Sequence, residues 1–416
     1  MATKSVTCCV VGGGPAGVTL GLLLARAGVE VAVLEKHTDF LRDFRGDTVH
    51  PSTLTILDEL GLFEEFDRLP QYRAPHIAVG TSDGPVPFAD LTRLPVAHPY
   101  IAFVPQWDFL SLLAGHAARY PTFHLIIEAE CTGVITERGA IKGVTYRTGD
   151  GTEHELRAKL TVGADGRHSV VRAAAGLEVM ETNPPMDVLW FRLPREETDT
   201  EETFLQFGAG KMMVSINRGT YWQLAYLVPK DSAGELMEQD VQVLRDATAE
   251  LLPHLANRVD RLTSWDDTSV LQVGLNHLRR WHRPGLLCIG DAAHTMSPIA
   301  GVGINLAVQD AVATANALAE GLLRTQTDGV PIDGRAVMSV QRRRQVPAAV
   351  TQAFQRVIQN RVVAPALGGA GTPGFPRFAA DVPVVGRLLS RFVGLGVLPE
   401  HVRVPAREPE REPARS

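Results

Sequence analysis

The chain opens with a short apolar run followed by a helical pattern of apolar residues. Residues 6–11 are rich in valine and cysteine and predict a buried strand. Glycines come next, then a helical pattern that ends near Ala27, and then the apolar segment VEVAVLEK. Strand, tight turn, helix and strand in this order form one βαβ unit, which predicts a parallel sheet with helices packed against it.

Helical and strand-like patterns alternate along the rest of the chain. Apolar residues at helical spacing predict helices at residues 48–66, 104–120, 234–252, 304–324 and 337–363. We expect Pro347 to kink or divide the last of these helices. Short apolar runs predict hairpins within residues 123–163 and a buried strand within residues 285–294.

Two further segments predict a second sheet. Residues 186–230 hold short apolar runs separated by glycines and charged turns, which is typical of antiparallel strands. The proline-rich residues 72–104 predict strands and loops that leave the first domain. The chain therefore crosses between two domains more than once. Charged, proline-rich sequence near the end predicts a disordered tail over residues 401–416.

The balance of charges excludes one large class of partner. With 41 Lys and Arg against 47 Asp and Glu, the net charge is −6, and the chain lacks the broad basic field that binds nucleic acid. A content of 45% hydrophobic and 21% charged residues is that of a globular protein with sizeable cores. The basic run Arg342–Arg344 lies in a helical pattern and predicts a solvated helix face.

Cysteine usage and hydropathy indicate the compartment. The four cysteines are too few for a disulfide framework or a metal site, and their apolar contexts predict small buried residues in a reducing compartment. Residues 16–34 are apolar, but Arg26 and Glu30 interrupt them, so a helix and a strand explain them better than a membrane span. No secretory signal pattern is present. We expect a cytoplasmic protein, either monomer or dimer, without an integral membrane span.

Residues 12–17 read GGGPAG, a G-x-G-x-x-G turn between a strand and a helix. Gly12 permits the tight turn, Gly14 lets a pyrophosphate approach the backbone, and Gly17 lets the helix pack on the strand. Free N–H groups at the helix start supply an anion site. Glu35 ends the next strand, where a carboxylate accepts hydrogen bonds from a ribose. We therefore expect an adenine dinucleotide, and the turn leaves both NAD and FAD open.

Two later motifs also follow predicted strands. Asp165, in an Asp-Gly turn, could place a carboxylate near a nucleotide ribose. In the segment GDAAHTMSPIAGVGIN, Asp291 can accept hydrogen bonds from a polyol, and Pro298 provides a rigid apolar wall. Gly301 and Gly303 expose N–H groups at the start of a long helix. Such a helix start stabilises a ligand that develops negative charge.

The order of these motifs resembles that of a known family. The glycine turn, the Asp165-Gly166 turn and the segment GDAAHTMSPIAGVGINLAVQDA follow one another as in the FAD-dependent aromatic hydroxylases of the para-hydroxybenzoate hydroxylase type. These are the single-component, class A flavoprotein monooxygenases. The resemblance extends over about residues 4–360 in motif order. Its third motif favours FAD over NAD.

The resemblance implies a role for each motif residue. Glu35 would bind the adenosine ribose, Asp291 the ribityl chain, and Pro298 would lie beside the isoalloxazine ring. Backbone N–H groups from Gly303 to Asn305 would face the pyrimidine edge of the ring. The complete set of implied cofactor-binding residues is Gly12, Gly14, Pro15, Ala16, Gly17, Glu35, Lys36, Arg45, Gln106, Cys131, Asp165, Asp291, Pro298, Gly301, Gly303, Ile304 and Asn305.

Six of these residues lie outside the glycine turn and the third motif: Glu35, Lys36, Arg45, Gln106, Cys131 and Asp165. Arg45 would reach the diphosphate, although a surface salt bridge with a neighbouring aspartate explains it equally well. Gln106 would lie on the ribityl side, and Cys131 would lend its backbone to the adenine. Asp165 would touch the cofactor region and is linked in the family to the nicotinamide donor as well.

The resemblance also implies a fold and a division into domains. It predicts an α/β protein with a Rossmann-like FAD-binding domain (GR2-type), an inserted antiparallel-sheet substrate domain and a helical C-terminus. The implied boundaries are residues 1–73, 100–180 and 271–335 for the FAD-binding domain, residues 74–99 and 181–270 for the substrate domain, and residues 336–400 for the C-terminal helical region.

The implied activity is hydroxylation or epoxidation of an aromatic or polyketide-like small molecule with NAD(P)H and O2, through a flavin C4a-hydroperoxide. NAD(P)H would bind transiently, and no metal is expected. The chemistry would be centred on the flavin, so no catalytic side chain is assigned, and His294 is expected to support its turn through hydrogen bonds. Residues expected to line the substrate pocket are Met213, Arg218, Tyr221, Tyr226 and His76.

Other functions share these motifs. A flavin-dependent reductase of a prenyl-type or other apolar substrate is one alternative, since residues 384–397 could rest on a membrane. A flavin-containing protein that binds a drug or pigment without turnover is a second. A flavin-dependent halogenase is disfavoured, because the five tryptophans include no Trp-x-Trp pair.

Overall fold

The computed structural model describes residues 4–40, 48–81, 84–199, 204–208, 210–369 and 383–407. Its strands are β1 (Lys4–Val11), β2 (Val31–Leu34), β3 (Thr48–Val49), β4 (Tyr72–Ala74), β5 (His76–Thr81), β6 (Gly84–Asp90), β7 (Ile101–Phe103), β8 (Phe123–Ile126), β9 (Ala129–Glu137), β10 (Ala140–Thr148), β11 (Glu153–Gly163), β12 (Val179–Thr182), β13 (Met186–Pro194), β14 (Phe204–Gly208), β15 (Lys211–Asn217), β16 (Tyr221–Pro229), β17 (Ser269–Leu271), β18 (Leu275–Leu278), β19 (His282–Arg283), β20 (Leu286–Cys288) and β21 (His294–Thr295).

The α-helices are α1 (Pro15–Arg26), α2 (Pro51–Leu60), α3 (Phe63–Asp67), α4 (Gln106–Ala117), α5 (Val170–Ala174), α6 (Ala233–Met237), α7 (Gln242–Leu251), α8 (Gly303–Asp328), α9 (Gly334–Ile358), α10 (Ala364–Leu367) and α11 (Pro383–Leu395). Short 3-10 helices are Leu91–Arg93, Pro253–Arg261, Trp265–Asp267, Gly290–Ala292 and Ile299–Gly301, and a π-helical turn spans Gln359–Val363. Within the described ranges, every helix is too short or too polar to cross a membrane.

Five parallel strands form the centre of the first sheet, in the order β20-β11-β1-β2-β8. The antiparallel hairpin of β9 and β10 pairs with the first half of β11, and β19 extends the other edge. Helix α1 joins β1 to β2 and packs against α4 and α8, because nearly all of its residues are apolar and buried. The predicted βαβ unit and the α/β fold are thereby confirmed.

A second sheet has the order β17-β13-β16-β15-β14-β5-β6. Most of its neighbouring strands are antiparallel, but β14 and β5 pair in parallel, with Phe204 opposite Ala78. The prediction of a purely antiparallel sheet is therefore wrong at this pair. Hairpin turns force neighbouring strands to be antiparallel, whereas β5 and β14 lie far apart in the chain and no turn sets their direction. Two further sheets, β12-β18-β21 and β3-β7-β4, have three strands each.

Several predicted helices differ from the observed ones in detail. The helix predicted over residues 48–66 ends at Gly61, whose φ of +73° suits the left-handed C-cap conformation, and α3 follows separately. The helix predicted over residues 234–252 is divided into α6 and α7. Helix α9, in contrast, continues through Pro347 without a division.

The end of the described chain is anchored to the first sheet's helices. Arg407 N donates to Arg26 O at 2.8 Å, and Val404 is buried. Arg403 N donates to Asn316 Oδ1 at 2.9 Å. The predicted disorder is therefore wrong for residues 401–407, because local composition does not reveal these distant partners. Residues 408–416 lie outside the described ranges.

Candidate active site

The three motifs meet at one edge of the first sheet. The strands that precede them, β1, β11 and β20, are parallel neighbours, so their carboxyl ends lie side by side. Gly12, Ala164 and Ile289 follow these strands and donate their N–H groups to neighbouring strand ends at 2.8–2.9 Å. Parallel pairing therefore brings together residues that are about 275 positions apart in the sequence.

Each motif glycine of the first turn has its own physical reason. Gly12 has a φ of +106°, and a Cβ there would lie 2.4 Å from Ala164 O. At Gly17 a Cβ would lie 1.8 Å from Gly12 O, so only glycine lets α1 approach the strand end. At Gly14 a Cβ would meet nothing within 4 Å, which leaves open space where a pyrophosphate would approach.

Glu35 lies at the carboxyl end of β2 and is 4% exposed. Its Oε2 accepts a hydrogen bond from Gly13 N at 3.0 Å, and its Oε1 accepts one from His37 N at 2.9 Å. These bonds fix the carboxylate on the cavity wall beside Lys36. A carboxylate at this position is the acceptor type that a ribose hydroxyl requires.

Asp165 closes its own turn. Its Oδ1 accepts from Ser169 Oγ at 2.5 Å, and its Oδ2 accepts from Val171 N at 3.0 Å. Burial raises the pKa of the Asp165 carboxyl, and these hydrogen bonds oppose that rise. The side chain lines the cavity, but both of its oxygens already order the start of α5.

Asp291 follows β20 and faces the same cavity. Its carboxylate accepts no hydrogen bond from the residues that the structure describes. Burial raises the pKa of this carboxyl, while electrostatic interactions with Arg167, His294 and Arg172 lower it. A carboxylate held in a cavity without a partner is suited to accept hydrogen bonds from the hydroxyls of a ligand.

The loop before α8 has an unusual backbone. Ala300 and Gly301 both adopt left-handed conformations, with φ of +64° and +61°. Helix α8 then begins at Gly303 without a side-chain cap, and a Cβ on Gly303 would meet nothing within 4 Å. The first N–H groups of a helix have no partner within it, so those of Gly303, Ile304 and Asn305 form a positive end beside the cavity.

Two side chains from distant elements hold this loop. Thr48 Oγ1 donates to Gly301 O at 2.7 Å. Gln355 of α9 accepts from Ser297 N at 3.0 Å and donates to Ser297 O at 2.8 Å and to Ile299 O at 3.0 Å. Gln355 is fully buried, and sequence reasoning missed it. Its signal is a row of glutamines at helical spacing, Gln352 and Gln355 in α9 and Gln359 at the start of the π-helical turn.

His294 belongs to a buried network behind the third motif. Its Nε2 lies 2.6 Å from Asp310 Oδ2, and Asp310 Oδ1 accepts from Arg344 Nε at 2.9 Å. Gly290 N also donates to Asp310 Oδ2, at 3.0 Å, so the network fixes the turn that carries Asp291. Arg344 is completely buried, and the predicted solvated face is wrong for this arginine.

A cavity of about 760 Å³ extends from the glycine turn to the second sheet. Its lining includes the predicted cofactor residues Gly12, Gly14, Pro15, Ala16, Glu35, Lys36, Gln106, Cys131, Asp165, Asp291, Pro298, Gly301, Gly303 and Ile304. Burial raises the pKa of the Cys131 thiol to about 12, which leaves it neutral. Gly17 lies behind the turn, and the Asn305 side chain is buried against Thr53 and the backbone of His50. Arg45 lies outside the described residues.

Two of the five predicted substrate residues, His76 and Arg218, line the cavity. The prediction is wrong for Met213, Tyr221 and Tyr226. Met213 is fully buried in a cluster on the other face of the second sheet, and Tyr226 packs against that cluster. The ring of Tyr221 lies under the Arg192 guanidinium at 4.9 Å. Strand residues alternate between faces, and the adjacent even-numbered residues of β15 are the ones that face the cavity.

Sequence reasoning missed most of the apolar wall. The second sheet contributes Met186, Val188, Trp190, Leu205, Phe207, Met212, Val214, Ile216, Ala225, Leu227 and Leu271. Phe354, Ile358, Val362 and Val363 of α9 and the π-helical turn complete it. The alternation of residues within each strand indicates which side chains share a face of the sheet. It does not indicate which of the two faces lines the cavity.

A parallel sheet, a glycine turn at its carboxyl edge and an uncapped helix start beside one cavity define a dinucleotide-dependent oxidoreductase. The chain belongs to the FAD binding domain family, whose model matches residues 5–333. The residues fit FAD, because the space at Gly14, the unpartnered Asp291 carboxylate and the start of α8 suit its diphosphate, ribityl chain and flavin ring in turn.

Known proteins agree with this assignment. The 6-methylpretetramide 4-monooxygenase of Streptomyces rimosus is 35% identical over 319 residues, which cover 76% of each chain. Two solved structures share the fold. OxyS, the anhydrotetracycline hydroxylase of Streptomyces rimosus, gives a TM-score of 0.74 at 21% identity, over 94% of this chain and 76% of that one. PqsL of Pseudomonas aeruginosa with 2-aminobenzoylacetate gives 0.73 at 22%, over 88% and 97%.

The protein is therefore an FAD-dependent monooxygenase, as the resemblance predicted. FAD is its cofactor, and NAD(P)H is the co-substrate typical of the family. The motifs left open a flavin-dependent reductase and a non-catalytic flavin protein. These relatives are instead named as a monooxygenase and a hydroxylase.

Proposed function

We propose that the protein hydroxylates or epoxidises an oxygen-substituted, polycyclic aromatic compound of the polyketide class. One observation carries the proposal: the cavity is continuous from the Pro298–Gly303 loop to the apolar inner face of the second sheet. A flat aromatic substrate held on that face would present one edge to the loop. The name of the 6-methylpretetramide 4-monooxygenase supports a substrate of this class.

In this proposal the second sheet belongs to a substrate domain inserted into a GR2-type FAD-binding domain, with the boundaries 74–99 and 181–270. The strands of the sheet come from residues 76–90, 186–229 and 269–271, which supports the division. Helix α9 and the π-helical turn close the far side of the cavity, so the C-terminal helical region also contributes to the substrate pocket.

The polar side chains that line the cavity near the second sheet are mainly hydrogen-bond donors. Arg218 Nε donates to Gln223 Oε1 at 2.8 Å, and both residues line the cavity. Trp190 lines it as well, and its Nε1–H has no partner among the described residues. The His76 ring lies 3.3 Å from the Asp90 carboxylate. A substrate with phenol or carbonyl oxygens along one edge would complement this arrangement.

FAD, when bound, supplies the hydride acceptor and the oxygen chemistry. We propose that Glu35 holds the ribose, Asp291 the ribityl chain, and Pro298 one edge of the flavin ring. The N–H groups of Gly303 to Asn305 would stabilise negative charge on the ring because they are preorganised and partly shielded from water. The apolar wall would keep bulk water from the reacting edge of the substrate.

The compartment is part of the proposal. All four cysteines are free and buried, as suits a reducing environment, and this supports a cytoplasmic location.

The substrate wall is tested by filling the cavity. Val214 lines it from the middle of β15, so Val214→Trp should place an indole where the substrate lies. We expect that polycyclic phenols no longer change the visible spectrum of FAD bound to this variant. The FAD content of the variant should be unchanged. Val243→Trp, on the exposed surface of α7, is the matched control. Equal phenol binding by the two variants and the unaltered protein would contradict the proposed wall.

A further inference from the structure

His50 is a completely buried histidine on the cavity wall. It is the N-cap of α2, and its Nδ1 lies 2.7 Å from the carbonyl oxygen of Val393 in α11. Its Nε2 is buried and has no hydrogen-bond partner among the described residues. The backbone of His50 is fixed too, because His50 N donates to Asn305 Oδ1 at 2.9 Å.

The ring faces two carbonyl groups and no charge. Burial lowers the pKa of His50 to about 4, and the carbonyls of Val393 and Gly301 oppose that shift. A neutral imidazole carries one N–H and can donate to only one carbonyl, whereas an imidazolium can donate to both. The site is thus built to bind a proton, and desolvation alone keeps the proton away at neutral pH.

The elements packed against the ring carry their charged side chains elsewhere, as far as the structure describes them. His50 is hydrogen-bonded to the Asn305 amide of α8 and the Val393 carbonyl of α11, and the hydroxyls of Thr48 and Thr53 bond to Gly301 and Asn305. The charged residues that the structure describes on those helices are Asp58, Glu59, Asp310, Glu320, Arg324, Asp328, Arg387 and Arg391, none of which contributes to the pKa of His50. A new negative charge in the cavity would therefore act on this ring without a competing counter-ion.

We propose that His50 takes up a proton from solvent when FAD is reduced, and so balances the negative charge of the reduced flavin across the Gly301 backbone. Reduction brings two electrons and one proton to the flavin, and the second proton binds the free ring nitrogen of His50. Gly301 and Val393 then each accept one N–H. The inference rests on the proposed position of the flavin ring beside the Pro298–Gly303 loop.

The test is the pH dependence of the FAD reduction potential, measured by dithionite titration of the FAD-loaded protein against a reference dye. Each proton taken up with two electrons changes the equilibrium constant tenfold per pH unit, which is about 30 mV. Above pH 4 we expect about 60 mV per pH unit for the unaltered protein, until the reduced-state pKa of His50 is passed. His50→Asn should show about half that slope, and the exposed His124→Asn should match the unaltered protein.

His50→Asn and His50→Gln are both measured, so that a folding defect in one does not decide the result. Equal slopes in the unaltered protein and in the His50 variants would overturn the inference. The visible spectrum of bound FAD then shows which premise fails. If the slopes are equal but the His50 variants shift the visible spectrum of bound FAD, only the proton uptake is contradicted. If the slopes are equal and the spectrum is unchanged, the proposed position of the flavin ring is contradicted as well.

Discussion

Gly14 and Gly17 belong to the same turn, yet a methyl group would meet very different surroundings at the two positions. Gly14→Ala adds its methyl to open space, so we expect an unchanged melting temperature. FAD should bind at least about tenfold more weakly, since the methyl occupies the diphosphate site. Gly17→Ala places its methyl 1.8 Å from Gly12 O, so we expect a large loss of stability. Thermal unfolding of the FAD-free variants and FAD fluorescence titration measure both effects. Similar melting temperatures for the two variants would contradict the assigned roles.

The Asp291 carboxylate has opposite effects on the stability of the FAD-free protein and on FAD binding. Its carboxylate accepts no hydrogen bond from the described part of the chain, and burial raises its pKa, so the charge destabilises the FAD-free protein at neutral pH. Asp291→Ala should therefore leave the FAD-free protein folded and at least as stable. Loss of charge-assisted hydrogen bonds of about 1.5–3 kcal/mol should weaken FAD binding roughly 10- to 100-fold. A variant that stays fully yellow after extensive dialysis would show that Asp291 does not hold FAD.

Helix α9 links the C-terminal region to the third motif and to the loop before α8. Arg344 and Gln355 lie on its buried face, one bound to Asp310 and the other to the loop before α8. Arg344→Met removes the guanidinium that donates to the buried Asp310 Oδ1 at 2.9 Å, and breaking this buried ion pair should cost about 3–5 kcal/mol. The exposed Arg342→Met is the control and should change stability by less than about 0.5 kcal/mol. Urea unfolding compares the two, and equal losses would contradict a structural role for the buried network.

Local patterns predicted most elements of the first sheet, because each strand and helix there has one clear periodicity. They did not identify the cavity face of β15. Met212 and Met213 are both apolar and both buried, one toward the cavity and the other toward α7, so the sequence offers no contrast between the faces. Likewise, the basic run that includes Arg342 gives no sign that Arg344 is turned inward to a buried aspartate.

The whole site depends on contacts between segments that lie far apart in the sequence. The motif order along the chain predicted which residues meet at the carboxyl edge of the first sheet, because parallel strands align their ends. Contacts such as Thr48 with Gly301 and Gln355 with Ser297 depend on how α8 and α9 pack, and no local pattern reports that packing. The predicted division, which set residues 336–400 apart, likewise did not indicate that α9 holds the loop before α8 through Gln355. The domain boundaries themselves stay a prediction.

The central claim is that one cavity holds both FAD and a polycyclic aromatic substrate and that one atom of O2 enters the substrate. It is tested most directly by supplying the FAD-loaded protein with NADPH, ¹⁸O₂ and a series of polycyclic phenols and quinones, and analysing the products by mass spectrometry. We predict NADPH oxidation that accelerates with at least one of these compounds and a product that carries a single ¹⁸O atom. Oxidation of NADPH to hydrogen peroxide alone, with no labelled product from any compound in the series, would contradict the claim.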